Sequence, residues 1–172
     1  MRMGPVALRT ATPTDRDDLA AIHEASAREA YRHIFPPAAA FPREAARAEI
    51  ALHLRDPAKR TIVAICDGAG VGLVVAGPAR DVPPTLSHGT VGQVSLLHVH
   101  PAARDRGIGT LLLDAALAWL ASALHARAVL WVLVANDRAR RFYEQRGWQD
   151  DGARRIEQHA IPLEIMRYMR DF

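Results

Sequence analysis

The 172 residues, 49% hydrophobic and 24% charged, suit one folded domain spanning 1–172 and exclude a disordered or fibrous chain. A net charge of +3, shared evenly by the two halves, argues against a nucleic-acid-binding arm, and a lone cysteine, Cys66, excludes a disulfide within the chain. No apolar run approaches the roughly 20 residues a membrane helix needs, and residues 1–10 lack the core of a signal peptide, so a cytoplasmic protein without a membrane partner is expected.

Residues 6–11 read as a first strand. Thr12-Pro13-Thr14-Asp15 then starts a helix, with Asp17 and Asp18 in its first turn and Leu19, Ile22 and His23 on one stripe. Ile34-Phe35-Pro36-Pro37 breaks it, and a second helix is expected over 42–54 with Pro42 near its first position. Residues 61–66 are apolar and β-branched, Asp67-Gly68-Ala69-Gly70 is a hairpin turn, and 71–76 return. The proline-bearing stretch 77–89 reads as an irregular loop, and 91–99 as the next strand, ended by Pro101. Leu113, Leu117, Leu120 and Leu124 fall at i, i+4, i+7 and i+11, the buried face of a long helix. Residues 129–134 are apolar on both faces, as a central strand is. Asn136 or Asp137 caps a short helix that ends at Gly147; strands follow from Trp148 and over 166–169. The order β-α-α-β-β-β-α-β-α-β-β predicts an α/β fold with a mixed sheet.

The most informative stretch runs from Leu97 through Val99 and Arg104-Asp105-Arg106-Gly107-Ile108-Gly109-Thr110. A strand enters a short loop with two spaced glycines, and a helix follows at once. The first turn of a helix carries free N–H groups and partial positive charge, and glycines let backbone curl closely around an anion. Arg104 and Arg106 add cationic donors, so the physics reads as a diphosphate site. A Rossmann fingerprint would need a third glycine where Leu112 stands, and a Walker loop a lysine before Thr110. Without further context, glycines that merely cap a helix remain an equal reading.

The run Arg104-x-x-Gly107-x-Gly109 resembles the acetyl-CoA motif of the GNAT superfamily of N-acetyltransferases. A second run, Leu133-Val134-x-Asn136-x-x-Ala139-x-x-Phe142-Tyr143-Glu144-x-x-Gly147-Trp148, is similar to that family's later block. The resemblance covers about 6–168 and is strongest over 97–148. It implies a mostly antiparallel central sheet of six to seven strands flanked by about four helices. It also implies that Leu97, His98 and Val99 lie along the pantetheine arm, with the Val99 N–H facing the thioester oxygen. Residues Arg104, Asp105, Arg106, Gly107, Ile108, Gly109 and Thr110 would wrap the pyrophosphate. Asn136 would reach the pantetheine arm, Ala139 and Phe142 would line the cofactor side of the short helix, and Tyr143, also at the cofactor, would protonate the departing thiolate.

The base that neutralises the acceptor amine is less legible. The strand 93–99 holds no carboxylate; His98 has a suitable ordinary pKa, although relatives often carry an aromatic packing residue there, and Glu29 is an alternative. His98 and His100 lack the further ligands a metal site wants, so none is expected. The resemblance implies a small-molecule primary amine as acceptor, with the apolar loop around 31–41 favouring one with an apolar part. A protein N-terminal or lysine acetyltransferase and a non-catalytic acyl-CoA sensor are the alternatives. Dimers are common in that family, and the sequence shows no interface stripe that decides for or against a homodimer.

Overall fold

The computed structural model describes residues 4–35, 41–80, 82–83, 91–159 and 161–172. The strands are β1 (Val6–Thr10), β2 (Arg60–Cys66), β3 (Ala69–Pro78), β4 (Val91–Val99), β5 (Arg127–Leu133), β6 (Gln149–Gln158) and β7 (Pro162–Asp171). The helices are α1 (Arg16–Tyr31), α2 (Arg43–Arg55), α3 (Ile108–Ser122) and α4 (Asp137–Glu144). The strands form one seven-stranded sheet in the order β1-β2-β3-β4-β5-β7-β6. Neighbours are antiparallel except β4 and β5, which are parallel. The mixed, mostly antiparallel sheet and its four flanking helices agree with the expected architecture.

Local chemistry accounts for the elements. Asp67 and Gly68 both take positive φ, 49° and 79°, the geometry of a two-residue turn whose twist matches the strands it joins, β2 and β3. At the start of α1 the Asp15 carboxylate accepts from both terminal Arg9 nitrogens, at 2.7 and 2.8 Å, and from the Thr12 N–H at 2.6 Å. The Arg9 guanidinium is the main cause that holds this carboxyl well below the usual range, with Thr12 helping against the opposing effect of burial. α3 packs on one face of the sheet, over β2, β3 and β4; α1 lies on the other, over β3 and β4, with α2 beside it on β2. Leu112, Leu113 and Leu120 are fully buried in α3, and each is worth about 1.5–3 kcal/mol of transfer free energy.

Three sequence expectations change. Leu124 is 86% exposed rather than buried, because α3 ends at Ser122 and the chain reverses through a positive φ at Leu124, which takes it off the helical stripe. β3 runs on through Gly77 and Pro78, which carry its pairing with β4; of the remaining expected loop, 79, 80, 82 and 83 follow outside any strand, and 81 and 84–89 lie outside the described residues. β7 begins at Pro162, four residues before the expected 166, since proline is tolerated at the first position of a strand.

Candidate active site

β4 and β5 pair only at Val91↔Arg127, Gly92↔Ala128 and Gln93↔Val129. Beyond that, β5 keeps its full ladder to β7 and β4 its ladder to β3, so the two parallel strands part and leave a wedge. The β3–β4 register shifts at Val75/Ala76, whose partners are Leu96 and Val94, so Ser95 is an extra residue, a bulge that bends β4. Past the bulge the His100 N–H donates to Val71 O at 2.9 Å. Backbone groups alternate sides along a strand. The N–H and C=O of Leu97 and Val99 therefore face the wedge, an unpaired edge for an extended amide chain.

The loop after β4 closes the mouth of the wedge. His100 Nδ1 accepts from the Ala102 N–H at 3.3 Å and holds a single 3-10 turn over Pro101–Ala103. His100 is thus a structural cap, and no group of three or more metal-binding side chains exists among the described residues. Asp105 and Gly107 take φ of 61° and 76° and turn the chain into α3, whose N-terminus has no side-chain cap. Nothing lies within 4 Å of where a Gly107 Cβ would stand. The N–H groups of the first turn thus have no side-chain cap, and the space around Gly107 before them is open. Arg106 is exposed beside it. Arg104 is half-buried and turned back to α1, where its Nη2 donates to the Ser26 carbonyl oxygen at 3.1 Å. Asp105 pairs with Arg138 of α4 at 2.8 Å.

α4 forms the other wall. Asn136 Oδ1 accepts from the Ala139 N–H at 3.1 Å and caps the helix, and its side chain lies near enough to Tyr31 to oppose in part the rise that burial gives that phenol's pKa. Its Oδ1 is therefore engaged within the protein, at the residue for which the sequence motif suggested a contact to the pantetheine arm. Phe142 packs on the Gly109 side of α3, 3.5 Å from where a Cβ would sit. Arg146 stacks over the Phe142 ring at 3.9 Å, donates to Phe142 O at 2.8 Å and to Thr110 Oγ1 at 2.6 Å, and so ties α4 to the first turn of α3. Ala139 and Phe142 pack against the main core, and Tyr143 is buried in it among the rings of Phe142, Trp148 and Tyr168. Among the described residues no group hydrogen-bonds the Tyr143 hydroxyl. Burial, aided by Tyr31, raises its pKa well above the ordinary phenol value, so it keeps its proton at any physiological pH.

On the α1 side of β4, His98 stacks on His23 with centroids 4.3 Å apart, and its Nδ1 lies 3.3 Å from Ser26 Oγ. Burial, His23 and Arg104 push its pKa well below 6.5, so the imidazole is neutral. Glu29 is exposed on α1 and close enough to Arg104 to favour its charge. Farther along this face Tyr31, Ile34 and Phe35 pack with Trp131 and Leu133 beside the wedge. Sequence reasoning missed the parts played by Ser26 and Arg146. Ser26 sits three residues after His23, on the same side of α1, and that spacing was the available signal.

A parted parallel strand pair, a glycine turn into an uncapped helix and an aromatic short helix now stand in one place. A profile of the acetyltransferase (GNAT) family matches residues 19–148. The chain belongs to the GNAT acetyltransferase family. It is an acetyltransferase of a family that takes its acetyl group from acetyl-CoA. Solved structures of similar fold include the PaiA N-acetyltransferase of Thermoplasma acidophilum in complex with coenzyme A, at 14% identity and TM-score 0.73, covering 98% of this chain and 100% of that one. An N-acetyltransferase of Staphylococcus aureus Mu50 aligns at 17% identity and TM-score 0.74 over 98% and 99% of the chains. A GCN5-related N-acetyltransferase of Rhodopseudomonas palustris aligns at 22% identity and TM-score 0.75 over 100% and 99%. At these identities the likeness speaks for the fold. No curated protein matches the sequence. Among the described residues no helix is long and apolar enough to cross a membrane.

Proposed function

We propose that this GNAT member acetylates the primary amine of a small molecule by direct attack, with both substrates held in the wedge between β4 and β5. The observation that carries the reading is the wedge itself: a free β4 edge leads to an uncapped helix N-terminus, against whose Gly109 the Phe142 ring of α4 packs, with Tyr143 next to it.

The residues present fit acetyl-CoA. The Leu97 and Val99 backbone would take the amides of the pantetheine arm as an added strand. The N–H groups from Gly107 to Thr110 would take the pyrophosphate, with Arg106 and the adjoining Arg104 and Asp105 completing the loop. Gly109 and Phe142 shape the floor, and Asn136 and Ala139 hold the start of the α4 wall. When bound, acetyl-CoA supplies an activated thioester carbonyl. The Val99 N–H, facing the wedge, would donate to developing negative charge on an oxygen there. The Tyr143 hydroxyl holds the proton that a leaving thiolate needs.

The α3–α4 face is taken up by the pyrophosphate loop, so the acceptor enters from the α1 face, past Tyr31, Phe35 and Trp131. Its amine must be neutral. Near pH 7 that costs roughly 4–5 kcal/mol for an amine of pKa ~10.4 but only about 1 kcal/mol at pKa ~7.8. No carboxylate lies on β4, and His98 is poorly disposed to take a full positive charge, so amines of low pKa are the better substrates.

The test is thiol release from acetyl-CoA with a panel of amines that spans aliphatic and aromatic amines, amino-acid amides and peptide amino termini. Turnover confined to small amines, slowed in Tyr143→Phe, supports the reading. Turnover confined to peptides reassigns the acceptor, and coenzyme A binding without turnover across the panel makes the protein an acyl-CoA sensor.

A further inference from the structure

Ser26 is buried on α1 and faces two groups that belong to different parts of the site. Its Oγ lies 3.3 Å from Arg104 Nη2 and 3.3 Å from His98 Nδ1. A guanidinium only donates, so Oγ accepts from Arg104, and a hydroxyl has one proton of its own to give. A serine in mid-helix often gives that proton to the carbonyl four residues back. Among the described residues Oγ makes no such bond, and His98 Nδ1 is the remaining acceptor beside it. Nδ1 is then the bare nitrogen of a neutral imidazole, and the hydrogen sits on Nε2.

The far side of the ring agrees. Nε2 has no protein partner among the described residues, and it is not among the fully buried polar atoms left unsatisfied, in keeping with the half-burial of His98 on the α1 side of β4. The ring is held flat by His23, which Phe41 braces edge-on at 5.7 Å. The titratable and charged groups that act on it are His23 from α1 and Arg104 from the loop, and both oppose a proton on His98.

We infer that Ser26, with Arg104 behind it, is a positioning residue that fixes the Nε2–H tautomer of His98, so that the imidazole presents a hydrogen-bond donor, not a base, to the acceptor substrate. The acceptor it suits carries a carbonyl, hydroxyl or carboxylate oxygen near its amine. The use of that donor rests on the transferase reading above; the tautomer does not.

The test separates the two. In the full-length protein labelled with 15N-histidine and free of cofactor, at pH 7, His98 Nε2 should show the shift of a protonated ring nitrogen and Nδ1 that of a bare one. The pattern should persist to pH 6, and Ser26→Ala should turn it into a mixture of tautomers. A hydrogen on Nδ1, or an imidazolium at pH 7, overturns the inference, and so does a wild-type pattern that Ser26→Ala leaves in place. With an amine that the panel identifies as substrate, His98→Leu should raise KM about thirtyfold. His98→Gln, whose amide N–H stands where Nε2–H stood, should recover most of that loss with the pH profile of kcat unmoved. If Gln is as poor as Leu and the acid limb of the profile disappears in both, His98 is a base and the inference fails. If the wild type acetylates no amine, the transferase reading fails while the nitrogen shifts still decide the tautomer.

Discussion

The two ends of the β4–β5 seam differ in kind. At the closed end Val91, Gly92 and Gln93 pair with β5, Val91 and Val129 are buried, and Leu120 lies so close over Gly92 that a Cβ there would fall 2.6 Å from it. At the open end Leu96, Leu97, His98 and Val99 are only half-buried, and the backbone of Leu97 and Val99 faces an unpaired edge. Both ends are built from similar apolar residues, so composition does not separate them. The bulge at Ser95 and the packing of Phe142 of α4 against the first turn of α3 do. Stability is stored where the seam is closed, and chemistry is available where it fails to close.

The comparison breaks if a change at one end has the effect expected of the other. The largest expected effect is at the open end, where Tyr143→Phe should lower kcat about a thousandfold and leave coenzyme A affinity within twofold, as read by steady-state kinetics and calorimetry. The pH dependence sharpens it. Since burial raises the Tyr143 pKa, the phenol stays protonated as pH climbs, and wild-type kcat should show no alkaline fall below pH 9.5 or so. A loss of activity that titrates near 8 would mean that another group is the acid.

At the closed end Leu120→Ala should cost about 3 kcal/mol of unfolding free energy, because its side chain fills the space over Gly92 and little can collapse into the void. Coenzyme A affinity, normalised to folded protein, should not change. Gly107→Val returns to the open end: a β-branched residue resists φ near 76°, and its Cβ projects into the open hollow before the first turn of α3. Coenzyme A should bind about a hundredfold more weakly, roughly 2.7 kcal/mol, while Gly107→Asn, which tolerates the left-handed region, should recover part of it. Affinity unchanged in Gly107→Val would remove the diphosphate from this loop.

Much of the closed end was legible beforehand. Repeats of leucine at 113, 117 and 120 place α3, and the apolar run 129–134 reads as a central strand. The glycines of the loop and the Asn136 cap carry local signals because each answers a local backbone need. The wedge was not legible in residue patterns, only in the family resemblance, because the departure of β4 from β5 depends on a register shift against a third strand, β3. Ser26 was silent for a different reason: a serine in mid-helix is ordinary, and its role exists only once β4 and the Arg104 loop converge on it. Leu124 shows the opposite failure, a periodic signal that outlasted its helix.

Arg146 offers the smallest and most discriminating change. It joins α4 to α3 at the open end by two hydrogen bonds and a stacked ring, and its core neighbours would barely notice a shorter cation. Lysine keeps the charge but has neither the planar face for Phe142 nor two donors set to reach Thr110 and the Phe142 carbonyl together. Arg146→Lys should therefore cost about 1 kcal/mol of stability, and coenzyme A should bind about fivefold more weakly as the α4 wall loosens against the phosphate loop. If the melting point falls while affinity holds, the α3 N-terminus is ordered without its brace, and preorganisation of the open end belongs to the glycine turn alone. If affinity falls while the melting point holds, the strut serves the site rather than the fold, and the division between the two ends of the seam extends to the helices beside it.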